Sequence, residues 1–126
     1  MPSYDPAHYN PPAPIAMVSL RPVGASAPAV ECLLLLDTGA DITLLPRAAI
    51  EHLGVRPLAG IDYELIGFDG SRRTAQSVDL DMVFLRKTFR GRYILVDGDE
   101  RGVLGRDVLA ELALVLDGPA QEWSER

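Results

Sequence analysis

The segment Leu33-Leu34-Leu35-Leu36-Asp37-Thr38-Gly39-Ala40-Asp41 sets an acid where four consecutive leucines meet a small polar turn. The residues that follow, Ile42-Thr43-Leu44-Leu45, are again apolar apart from Thr43. Such a run belongs in a core, so Asp37 is expected at the end of a buried strand. A carboxylate there is costly unless it is hydrogen-bonded or paired. Two readings fit. Asp and Thr bond nearby backbone and Gly supplies positive φ, so the tripeptide serves as a plain turn. Alternatively, the fold holds a carboxylate in a poorly solvated cleft for acid/base work.

Other chemistries find little footing. His8 and His52, with the single Cys32, have no metal-ligand spacing, so neither a metal nor a cofactor is expected. No Gly-Lys-Ser/Thr follows the scattered glycines, which excludes a phosphate loop. A net charge of -6 argues against a nucleic-acid partner, which needs a basic surface. No apolar run approaches the length of a membrane span, and residues 1–14 lack the basic and apolar regions of a signal peptide. One cysteine cannot form an intrachain disulfide, which allows a reducing compartment; a cytoplasmic location is the expectation. Cys32 itself reads as a small buried hydrophobe. Arg72, Arg73, Arg86, Lys87, Arg90 and Arg92 read as a solvated face.

The elements that must position Asp37 follow from patterning. At 126 residues the chain is one domain. Residues 1–14 hold Pro2, Pro6, Pro11, Pro12 and Pro14 and read as a flexible, extended tail, with the domain proper at 15–126. Strands are expected at 15–20, 29–36 and 42–45. Pro46 opens a helix with Ala49, Ile50 and Leu53 on one face, closed by Gly54. Asp69-Gly70 marks a hairpin between strands at 63–68 and 72–78. A further strand covers 80–85, a turn is expected at Arg90-Gly91, and 93–96 returns. Val103-Leu104-Gly105 ends a short strand before a helix at 106–112, a last strand at 114–116 and a polar tail broken only by Trp123. The sum is mainly β, in a closed or sandwich-like sheet.

Leu35-Leu36-Asp37-Thr38-Gly39-Ala40-Asp41 resembles the half-site motif of the retropepsin-like aspartic proteases, the single-domain retroviral type. Two further segments fit the resemblance. Gly102-Val103-Leu104-Gly105 leads into Gly105-Arg106-Asp107-Val108-Leu109, like the strand that crosses behind the family's catalytic turn and its last helix. Ile66-Gly67-Phe68-Asp69-Gly70 lies where the family carries a flap hairpin. The resemblance covers roughly residues 15–117 and implies a closed β-barrel or sandwich of short strands, with one or two short helices, acting as a homodimer. It assigns catalysis to Asp37, Thr38 and Gly39, and substrate contact to Ala40, Asp41, Ile66, Gly67 and Phe68. It also implies an Asp41–Arg106 ion pair bracing the turn. One chain carries one Asp-Thr-Gly, so a second Asp37 would come from an identical partner and the substrate would be a peptide or protein. The alternatives are a non-catalytic dimerisation or peptide-binding module on the same fold, and a small-ligand β-barrel. The proline-rich N-terminus and charged C-terminus depart from the short apolar ends that retroviral dimers interleave.

Overall fold

The computed structural model of the chain describes residues 2–60, 62–67, 69–97 and 101–126. In chain order its elements are β1 (Tyr4–Asp5), β2 (Ala13–Arg21), β3 (Val30–Leu36), β4 (Leu44–Pro46), α1 (Arg47–Ile50), β5 (Asp62–Ile66) and β6 (Arg72–Phe84). They continue with β7 (Lys87–Val96), β8 (Val103–Leu104), α2 (Arg106–Leu109), β9 (Leu114–Asp117) and β10 (Glu122–Glu125). The fold is mainly β with short helices, as the patterning implies. Eight strands form one sheet in the order β1-β2-β3-β8-β4-β7-β6-β5, and β2 pairs with β6 as well, so the sheet bends back on itself. The strands β9 and β10 make a separate antiparallel hairpin.

The core follows the two-residue period of the strands. Ala16, Val18 and Leu20 of β2 turn inward with Cys32 and Leu34 of β3, and meet Val78, Leu80, Met82 and Phe84 of β6. The same alternation corrects the expectation of a buried four-leucine run. Leu34 is buried, but Leu33 points outward and is 46% exposed, because neighbours on a strand face opposite sides. Burial pushes the Cys32 thiol up to about 11, so it packs as an uncharged hydrophobe.

Three further expectations are corrected. The segments expected at 72–78 and 80–85 are one strand, β6, of 13 residues. The chain reverses at Leu85-Arg86, both at positive φ, rather than at Arg90-Gly91, which lie inside β7. The Tyr93 ring lies beside Gly91, and the Tyr93 hydroxyl donates to the Phe89 carbonyl at 2.6 Å. The chain ends are not loose strings either. Tyr4–Asp5 pairs with Ala13–Pro14, and β2 starts at Ala13. Trp123 of β10 is buried, tilts against Phe84, and donates its indole N–H to the Ile15 carbonyl at 2.7 Å. A large aromatic brings more apolar area than the acids around it bring charge, so a polar-looking tail docks.

Candidate active site

β3 ends at Leu36 and hands Asp37 to a tight turn. The Asp37 carbonyl accepts from the Ala40 N–H at 3.2 Å, and the Asp37 Oδ1 accepts from the Gly39 N–H at 2.9 Å. Asp37 is half-buried. A Cβ on Gly39 would stand 3.1 Å from Asp37 Oδ1, so glycine there keeps the acid's flank open.

The strand β8 fixes the turn from behind. It pairs in parallel with β3, matching Leu35 to Val103 and Leu36 to Leu104, and antiparallel with β4 at Leu44–Val103. The chain entering the turn and the chain leaving it therefore straddle β8. The Asp37 N–H donates to the Leu104 carbonyl at 3.0 Å. The crossing is so close that only glycine fits at both ends of β8. A Cβ on Gly102 would lie 2.5 Å from Leu34 Cδ2 and still nearer the Leu44 carbonyl oxygen; one on Gly105 would lie 2.5 Å from the Ile42 carbonyl oxygen.

The helix α2 then braces the turn, though not as the resemblance implies. Arg106 donates through Nη1 to the Thr38 carbonyl at 2.6 Å, and its backbone N–H donates to the Ala40 carbonyl at 2.9 Å. Among the described residues Arg106 and Asp41 form no ion pair. Asp41 stays exposed, where water solvates it without the entropy of ordering two long side chains. Sequence reasoning missed the buried brace. Asp107 accepts from the Thr43 N–H at 3.0 Å and from the Thr43 hydroxyl at 2.7 Å, and that hydroxyl accepts from the Gly105 N–H at 3.0 Å. Thr43 is fully buried. Its signal was in the sequence: one hydroxyl inside Ile42-Thr43-Leu44-Leu45 must find a partner.

Opposite the turn, β5 and β6 form a hairpin. Gly67 N–H donates to the Ser71 carbonyl at 2.8 Å, Gly70 N–H to the Gly67 carbonyl at 3.0 Å, and Gly70 takes a positive φ of 82°. The Ser71 hydrogen bonds hold the Asp69 carboxyl below its ordinary value. Between hairpin and turn lies a cleft of about 800 Å³. It brings together Asp37, Gly39, Ala40 and Asp41 on one side and Ile66 and Gly67 on the other, with Ile42, Leu44 and Val103 adding apolar wall. Glu64 and Arg72 pair at its rim at 3.1 Å. Thr38 is exposed on the turn, outside the cleft lining. Phe68 lies outside the described residues. Among the described residues no cluster of three or more His, Cys, Asp or Glu is placed to hold a metal, and no helix is long and apolar enough to cross a membrane.

The protein family described as "Aspartyl protease" matches residues 27–108, well over half of the chain and the whole of the turn, hairpin and β8. Among solved structures, the EIAV protease complexed with the inhibitor HBY-793 is similar, with a TM-score of 0.57 and 24% identity over 79% of this chain and 86% of that chain. No curated protein matches. With its acid-bearing turn, its crossing strand and the family match over both, the chain belongs to the aspartyl protease family and shares the fold of a retroviral protease.

Proposed function

We propose that this protein is an aspartic endopeptidase whose active site is completed by two copies of the chain. The observation that carries the reading is an open cleft of about 800 Å³ lined by the acid of a single Asp-Thr-Gly turn. Peptide hydrolysis by carboxylates needs one base and one acid, and a chain with one such turn supplies half of that pair. A two-fold dimer supplies the other half, and isologous dimers are the commonest oligomer. The pairing of β2 with both β3 and β6 supports a closed barrel in each subunit.

In this reading the two Asp37 carboxylates hold a water between them. Carboxylates in contact share one proton, so the ionised member takes a proton from the water as it attacks the scissile carbonyl. The protonated member hydrogen-bonds the carbonyl oxygen, and a proton then passes to the leaving nitrogen. Thr38, exposed on each turn, reaches across to the opposite turn. Gly39 and Ala40 leave room for substrate backbone, which lies extended and bonds like an added strand. Ile66, Gly67 and Phe68 close over it, and Asp41 bonds its main chain.

The test is digestion of a peptide library by the purified chain across pH, beside Asp37→Asn. The expected result is a bell-shaped profile on the acid side, set by macroscopic constants of the pair, and loss of cleavage in Asp37→Asn with fold and dimer retained. Cleavage that survives Asp37→Asn overturns the reading.

A further inference from the structure

We propose that Asp41 is a specificity residue that selects a basic side chain, lysine or arginine, in the bound peptide; this rests on the reading above that the cleft holds an extended peptide, and it names which peptides the cleft prefers. Among the described residues, the charged side chains lining the cleft are Asp37, Asp41, Glu64, Arg72 and Arg73. Asp37 is reserved for the chemistry. Glu64 and Arg72 neutralise one another at 3.1 Å, and Arg73 is engaged as well. Asp41 differs from all of these. It is exposed, and among the described residues no hydrogen bond or ion pair holds its carboxylate. The charge left uncompensated beside the acid-bearing turn is therefore negative.

That carboxylate is not needed to hold the turn. Arg106 reaches the Thr38 carbonyl through Nη1 and the Ala40 carbonyl through its backbone N–H, and both contacts pass Asp41 by. A polar group that the fold does not use, set in a cleft, is available to a ligand. The wall beside it is apolar, built from Ile42, Leu44 and Val103. Lysine and arginine match this combination, because each lays a methylene stem along apolar surface and carries its charge at the tip. A carboxylate has two acceptor oxygens, so Asp41 bonds a main-chain N–H with one and the basic head with the other. The net charge of -6 draws the same class of peptide from solution.

Two copies of the chain carry two Asp41 residues, related by the axis that passes between the Asp37 carboxylates. The axis turns the cleft onto itself, so the preference falls at equal distances before and after the scissile bond. Acidic side chains are disfavoured at the same two positions, because like charges repel there.

The experiment is digestion of a peptide library by the full chain as wild type, Asp41→Asn and Asp41→Lys, in low and high salt. Binding of matched lysine and glutamate peptides to Asp37→Asn, alone and combined with Asp41→Asn, is the second readout. Wild type should favour lysine over glutamate about five- to tenfold at one position on each side of the cut bond, and less so in high salt. The ratio is read within each variant, so a general loss of activity does not move it. It should vanish in Asp41→Asn and invert in Asp41→Lys. The binding arm serves where a variant digests too slowly: Asp37→Asn should hold the lysine peptide more tightly, and the double variant should hold both alike. Wild-type cleavage with no charge preference, or a preference that Asp41→Asn keeps, overturns the role of Asp41 and leaves the peptidase reading intact. Lysine-selective binding that needs Asp41, with no cleavage by wild type, supports Asp41 and overturns the peptidase reading. Neither cleavage nor selective binding overturns both.

Discussion

Thr43 and Asp107 carry more of the site's rigidity than their places in the sequence suggest. Asp107 satisfies the backbone and hydroxyl of a fully buried threonine, and that threonine satisfies the Gly105 N–H at the end of the strand behind the acid. Asp107→Ala leaves both Thr43 groups unpaired in the core. The expected loss is about 2–3 kcal/mol of stability, read from a denaturant midpoint; on the proposed peptidase reading cleavage falls with it, although Asp37 itself is untouched. At this scale Asp37 was legible because an acid behind an apolar run is hard to explain otherwise. The brace was not, because a carboxylate opening a short helix reads equally well as a favourable dipole contact. That Arg106 would meet the Thr38 carbonyl in place of Asp41 was not legible either, since a guanidinium donates to carbonyls as well as to carboxylates.

Strand limits were read well where turn chemistry is distinctive and poorly where it is not. Asp69-Gly70 gave the β5–β6 hairpin, because glycine there adopts positive φ at no steric cost. The β6–β7 reversal uses Leu85 at φ 51° and Arg86 at φ 65°, residues that carry no such signal. Leu85 is kept because it packs against the core. Arg86 is exposed and has no comparable reason. Arg86→Gly should therefore stabilise the protein by about 0.5–1 kcal/mol, the left-handed strain relieved less the entropy glycine adds to the unfolded chain. Thermal melting of the variant measures it; a lower melting temperature would mean that the Arg86 side chain holds something the turn needs.

Across the whole molecule, the acid Asp81 links parts the sequence keeps far apart. It is 4% exposed on β6 and accepts from Arg90 Nε at 2.8 Å and Nη2 at 3.1 Å on β7, and from the Gly24 N–H at 2.9 Å in the connection between β2 and β3. The Arg90 hydrogen bonds, then that of Gly24, hold its carboxyl at about 2, below the ordinary 3.8. A depressed carboxylate adds stability that is fully present above its unfolded value and lost as pH falls through its folded one. The loss thus runs from about pH 4 down to about pH 2. Denaturant midpoints at pH 5 and pH 2 should differ more in wild type than in Asp81→Asn, which is the less stable of the two at pH 5. An equal fall in both would deny Asp81 this role. The mainly β architecture was legible from strand periodicity, whereas the joining of the two chain ends was not. That joining combines the buried Trp123 with backbone bonds from Tyr4 to Gln121 and from Trp123 to Pro2, in a segment whose average composition is polar.

The close passage of β8 behind the acid also has a meaning in time. The acid-bearing turn is made before the groups that finish its backbone, which stand up to 68 positions later in the chain. No ribosome-bound fragment that stops before Leu104 can supply the carbonyl that receives the Asp37 N–H. Ordering the turn before then would require closing a long loop with nothing to reward it. The growing chain therefore lacks this ordering of the acid until Leu104 and Arg106 have emerged; in the peptidase reading proposed above, that delay keeps the nascent protein from cutting before it has folded.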